Sequence, residues 1–106
     1  MMLVTTDTIP GKRIVKTCGL VRGNAVRARH VGRDIMAGLR NVVGGEIVEY
    51  TKLIAEAREQ AIDRMRDDAT RLGANAIVGM RFTTSFVSAG AAELLAFGTA
   101  VVVDDE

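Results

Sequence analysis

Soft-metal chemistry draws on thiolate, thioether and imidazole donors, and this chain carries few of them: one cysteine, Cys18, one histidine, His30, and five methionines. A closed zinc site takes about four donors, more than Cys18 and His30 of one copy supply. Cyclic assembly changes that count, because an axis brings copies of one residue together, and a ring of Cys18 or of His30 would furnish what a single subunit lacks. Each also has an ordinary reading: Cys18 is a small hydrophobe within a strand, and His30 a loop residue ahead of a helix. As a nucleophile and base they stand twelve residues apart, with no marked third group or oxyanion site, so an enzyme is not expected. The Walker A, GxGxxG, CxxC and HExxH patterns do not occur.

The remaining candidates are charged. Arg58 falls at about 20° on a helical wheel that starts at Ile47, inside an apolar arc. A charge there needs a partner, either an interface ion pair or carbonyl, or an anionic ligand. Arg64 and Asp68 sit at the arc's edge and are spaced to pair with each other or across a subunit boundary. Arg33-Asp34 and Gly44-Gly45-Glu46 mark two helix junctions. Gly-rich turns that open a helix can present backbone donors to an anion, although Glu46 opposes one, and a tight corner between helices explains the same glycines.

These residues are positioned by a short list of elements. Met2 to Thr6 reads as a β-branched strand ended by Asp7 and the Pro10-Gly11 turn pair. Ile14 to Ala28 is extended, with Gly19 and Gly23 four apart and so on one face of a regular strand, together with Val15, Thr17, Val21 and Ala25. Glycines in a strand interior imply a bend or bulge, a closely packed backbone, or a ligand at the main chain. Val31 to Val43 has helical spacing and stops at Gly44-Gly45, and a long helix then runs from Ile47 to Leu72 with Gly73 as its stop. Its apolar arc covers about 220°, against about 100° for a helix that faces only its own sheet, which implies a second buried side against another subunit. Such a helix measures about 39 Å, longer than the strands of about 17 to 20 Å that a small domain ordinarily offers. Asn75 to Ser88 and Ala92 to Asp104 read as an antiparallel hairpin turning at Ala89-Gly90-Ala91. Ala76, Val78, Met80, Phe82 and Phe86 share one face of its first strand, and Leu95, Phe97, Val101 and Val103 share a face with Glu93 in the second. The expected fold is α+β in ββααββ order, an antiparallel sheet packed on one long and one shorter helix.

Composition sets outer limits. The 106 residues show no break in composition and read as one domain, 1–106. Aromatics are 4% of the chain, so the core is built from aliphatic residues and methionine and is thin for a monomer. Fourteen basic and thirteen acidic residues leave a charge of +1, which provides no sustained field for nucleic acid or an anionic membrane. The start lacks a basic and a long apolar region, no apolar run reaches the ~20 residues of a membrane span, and the single thiol suits a reducing compartment. A cytoplasmic protein is expected.

Several short motifs occur in order along the chain: Gly32-Arg33-Asp34-Ile35, Arg40 to Ile47, Tyr50-Thr51, Glu56-Ala57-Arg58 with Ala61, Leu72 to Ala76, and Gly98-Thr99-Ala100-Val101. Together they resemble the YbjQ-like family, described as "putative heavy-metal-binding", over essentially the whole chain. The resemblance implies a small α+β subunit assembled into a symmetric ring, with a pentamer as the family expectation. It carries no ligand set residue by residue, and Cys18 lies outside the matching motifs. Two functions follow as expectations: a binding module for a heavy, soft or divalent metal ion at a subunit interface or symmetry axis, or a metal-free structural ring or small-anion-binding module.

Overall fold

A computed structural model of the chain describes residues 1–28, 48–88 and 91–106. It is α+β: β1 (Met2–Leu3), β2 (Lys12–Ala28), α1 (Val48–Arg71), β3 (Ala76–Ser88) and β4 (Ala91–Asp105). The shorter helix expected at Val31 to Val43 and the Gly44-Gly45 corner lie outside the described residues, as do His30, Arg33, Asp34 and Glu46. The long helix forms where its spacing predicts. It ends in a Schellman motif, with Ala74 N–H donating to Ala69 C=O at 3.1 Å, Gly73 N–H to Thr70 C=O at 3.0 Å, and Gly73 at positive φ.

The strands are far longer than the about 17 to 20 Å of an ordinary small domain. β2 has 17 residues, which at about 3.3 Å each span about 56 Å, and the longest dimension of the subunit is 55 Å. The 24 residues of α1 span only about 36 Å. The helix therefore does not outrun its own sheet, and its length gives no reason for a second subunit.

The sheet has the order β1-β3-β4-β2. β4 pairs antiparallel with β3, as the hairpin pattern predicts, and antiparallel with β2. β1, however, pairs parallel with β3 through Met2–Ala76 and Leu3–Ile77, so the sheet is mixed rather than antiparallel. The cause is the segment between β1 and β2, which does not fold back as a hairpin. It crosses the face of the sheet opposite the helix, from one edge to the other, and on the way seats Ile9 against Ala76, Val78 and Val101 in a small second core. Pro10-Gly11 makes the expected turn, closed by Lys12 N–H to Ile9 C=O at 3.0 Å.

The main core lies between α1 and the sheet and uses small residues: Ala57, Ala61 and Ala69 from the helix, Ala25, Ala96 and Ala100 from the strands, with Val21, Met65, Ile77, Met80 and Leu94 as fillers. Bulges decide which strand residues reach it. The β2–β4 register skips at Val15 and again at Cys18, and Gly19 has φ 127°. Each extra residue reverses the alternation of faces. Val15 and Thr17 are therefore exposed rather than aligned with Val21 and Ala25, while Cys18 packs against the main core. A third irregularity, at Gly79, splits the face expected in β3: Ala76 and Val78 join the second core, and Met80 joins the main one with Ile77. β4 has no such interruption among its first ten residues and alternates as its sequence predicts.

The helix buries Ala57, Ala61, Met65 and Ala69 completely. These lie on one i,i+4 row, which winds by about 40° per step and so by about 120° in all. A wheel viewed end-on superposes the successive contact points of this winding line, and part of the 220° arc is produced in that way.

Candidate functional site

Among the described glycines the tightest backbone approach is at Gly23, where α1 crosses β2. A Cβ on Gly23 would lie 2.8 Å from the Arg64 carbonyl carbon and closer still to Ala61 O and Met65 N. Only a residue without a side chain lets the helix backbone settle here. The crossing places two helix side chains, one turn apart, over the outer edge of β2. Asp68 Oδ2 accepts from the Arg22 backbone N–H at 3.2 Å, and Arg64 Nη1 donates to Asn24 C=O at 2.6 Å. Asp68 Oδ1 also accepts from Arg71 Nη2 at 3.2 Å. Arg22, Gly23, Asn24, Arg64, Asp67, Asp68 and Arg71 surround an open cleft of about 360 Å³.

Arg64 and Asp68 thus do not pair with each other within the subunit; both satisfy main-chain groups of β2. The sequence signals the location through Gly23, and Arg64 and Asp68 through their place at the edge of the arc. Arg22 and Arg71 carry no such signal, because register and helix crossing alone bring them to the cleft. On the far side of the strand, Asn24 Nδ2 donates to Glu93 Oε2 at 3.2 Å.

Of the other site candidates, Cys18 is half-buried and shares its apolar cluster with Met65 and Met80. Arg58 is exposed and has no ion pair among the described residues. At its level the buried row passes through Ala57, so Arg58 lies off the contact line although the wheel sets it among apolar positions. No group of three or more His, Cys, Asp or Glu side chains gathers among the described residues.

The two outer strands end differently. Along β2 the helix covers the edge at Arg22 and Asn24. Along β3 the hydrogen bonds to the N-terminal segment stop at Met80, whose N–H donates to Val4 C=O at 3.0 Å. Arg81 Nη1 adds a side-chain bond to Thr5 C=O at 2.7 Å. Beyond it the edge has no partner strand among the described residues.

The family model described as "Putative heavy-metal-binding" matches residues 1–104. The chain belongs to the YbjQ-like family. A UPF0145 protein of Methanosarcina acetivorans is 59% identical over 97% of both chains, and one of Thermococcus kodakarensis is 58% identical over all of this chain and 94% of its own. A UPF0145 protein of Hahella chejuensis is 55% identical over 98% of this chain and the whole of its own. The fold recurs in a crystal structure of a protein of unknown function from Pediococcus pentosaceus, assigned to the DUF74 family. It has a TM-score of 0.70 at 16% identity and covers 98% of each chain. Set against the metal in the YbjQ-like description, the described donors of one subunit fall short: Cys18 is the chain's sole thiol, and it faces an apolar core.

Proposed function

We propose that this YbjQ-like chain is a non-catalytic binding subunit that acts in the cytoplasm as a symmetric homo-oligomer, the pentameric ring implied by the resemblance. The inequality of the two sheet edges is the observation that carries assembly. With Met80 N–H turned toward β1, alternation turns the N–H and C=O of Phe82 and Thr84 the same way, onto the open edge. An extended edge of this kind is ordinarily paired or covered. An exposed apolar side chain accompanies it, Phe82 at 40% exposure. The radius of gyration, 17.4 Å, exceeds the about 13 Å of a compact chain of this length.

Thr84→Pro tests the edge. It removes an outward N–H and leaves the β3–β4 ladder in place, whereas Thr83→Pro breaks an inward one. Size-exclusion chromatography with light scattering should give an oligomer for the parent and a folded, smaller species for Thr84→Pro. A monomeric parent, or an unchanged mass for a folded Thr84→Pro, overturns the reading.

A soft metal ion is the second reading, favoured by the family description. It would draw its donors from several copies, with Cys18 and His30 as the residues to supply them. Native mass spectrometry and elemental analysis of protein purified without a metal-affinity tag decide it. Absence of metal, together with no stabilisation by Zn²⁺, Cd²⁺ or Cu⁺, would leave a metal-free ring.

A further inference from the structure

We infer that the open edge of β3 pairs with the same edge of a second copy, antiparallel about a two-fold axis at Thr84. The inference rests on the assembly proposed above and deepens it, because it names the partner of that edge. From Phe82 to Phe86 the sequence is Phe-Thr-Thr-Ser-Phe, which reads almost alike in both directions. An antiparallel pair centred on Thr84 therefore sets Phe82 opposite the partner's Phe86, Thr83 opposite the partner's Ser85, and Thr84 opposite the partner's Thr84. Aromatic residues opposite each other, and Thr opposite Thr or Ser, are among the favoured cross-strand pairs. The backbone suits the same centre. The register of β3 with β4 runs unbroken from Arg81 to Phe86, so Phe82, Thr84 and Phe86 all turn their N–H and C=O groups to the open edge. Opposed across a two-fold, these three positions exchange about six main-chain hydrogen bonds.

The other sheet edge is a poor alternative partner. A head-to-tail contact would seat β3 of one copy on β2 of the next, but β2 carries the devices that keep an edge unpaired. Bulges interrupt it at Val15 and Cys18, and Lys12, Arg13 and Lys16 lie along its first half. Farther on, Asp68 and Arg64 cap Arg22 N–H and Asn24 C=O. From Phe82 to Phe86 the β3 edge has none of these: the stretch contains no charge and no proline, its register is unbroken, and residues 81–85 are all exposed. An uncharged edge of this kind recruits further strands unless its contact closes. An isologous contact does close, since both edges are consumed in one pair. It also fixes parity: copies are joined two by two, so a ring carrying this contact is doubled and its subunit count is even.

The test is native mass spectrometry of the full chain and of its variants Thr84→Lys and Thr84→Glu. Thr84 is exposed in the subunit, so either charge is accommodated by the fold, which circular dichroism checks. The parent should contain an even number of chains. On a two-fold each new charge faces its own copy, and like charges directly opposite repel. Each variant alone should therefore halve the parent mass, and equal amounts mixed should regain it with the two chains in a 1:1 ratio. A head-to-tail contact gives no such rescue, because residue 84 then never meets itself. An odd parent, a parent mass kept by either folded variant, or a mixture that stays at half mass overturns the two-fold and leaves assembly to the Thr84→Pro result. A monomeric parent overturns both the two-fold and the assembly on which it rests.

Discussion

Replacing Gly23 with alanine adds one methyl group at the point where α1 rests on β2. The new carbon would be 2.8 Å from the Arg64 carbonyl carbon and nearer to Ala61 O and Met65 N. All three are backbone atoms of a helix, so no side chain can rotate away and the rod itself must lift. Overpacking in a rigid site costs about 1–3 kcal/mol. Lifting α1 also stretches the bonds of Asp68 to Arg22 N–H and of Arg64 to Asn24 C=O, each worth about 1 kcal/mol or more. A total near 3 kcal/mol is expected, which for a domain of about 100 residues lowers the melting temperature by about 12 °C or more. Circular dichroism melts and urea titrations at a fixed protomer concentration measure it, because assembly makes the melting temperature depend on concentration. A fall of less than about 3 °C, corresponding to under 1 kcal/mol, would refute the claim that helix and strand touch through their backbones here.

Gly19 supplies a contrast. A Cβ there meets nothing within 4 Å, but φ is 127°, so Gly19→Ala should cost about 1–3 kcal/mol through backbone strain alone, with the helix crossing at Gly23 unaltered. The Lys12 ammonium, hydrogen-bonded to Asp105, holds that carboxyl below its ordinary 3.8. A depressed carboxylate contributes stability above its unfolded pKa and loses it as pH falls through the folded value, so the pair matters at neutral pH and vanishes in acid. Lys12→Met should raise the Asp105 titration midpoint, followed by NMR, and remove that part of the acid dependence; an unmoved midpoint would show that the pair does not form in solution.

The match between sequence and structure divides by the range of the interaction. Local rules fixed the long helix, its Gly73 stop, the Pro10-Gly11 turn and the β3–β4 hairpin, because each depends on residues within a few positions of one another. The same rules failed for side-chain faces in β2 and β3. There the bulges near Cys18 and Gly79 reverse the alternation, and a bulge is a property of the pairing between two strands. Arg58 illustrates the limit for a helix: the wheel sets it among apolar residues, but the winding line of contact misses it.

For the candidate site, the glycine pair in β2 was the legible part, since two glycines in a strand call for a bend or a close neighbour, and the structure supplies a bend at Gly19 and a neighbour at Gly23. The chain's α+β class and family were likewise written in the order of its motifs. The tertiary structure alone decided that Arg64 and Asp68 serve the edge of β2, that Arg22 and Arg71 join them, and that β1 runs parallel to β3. Those outcomes depend on where a helix crosses a sheet and on which strand lies beside which, and neither is encoded within any single stretch of the chain.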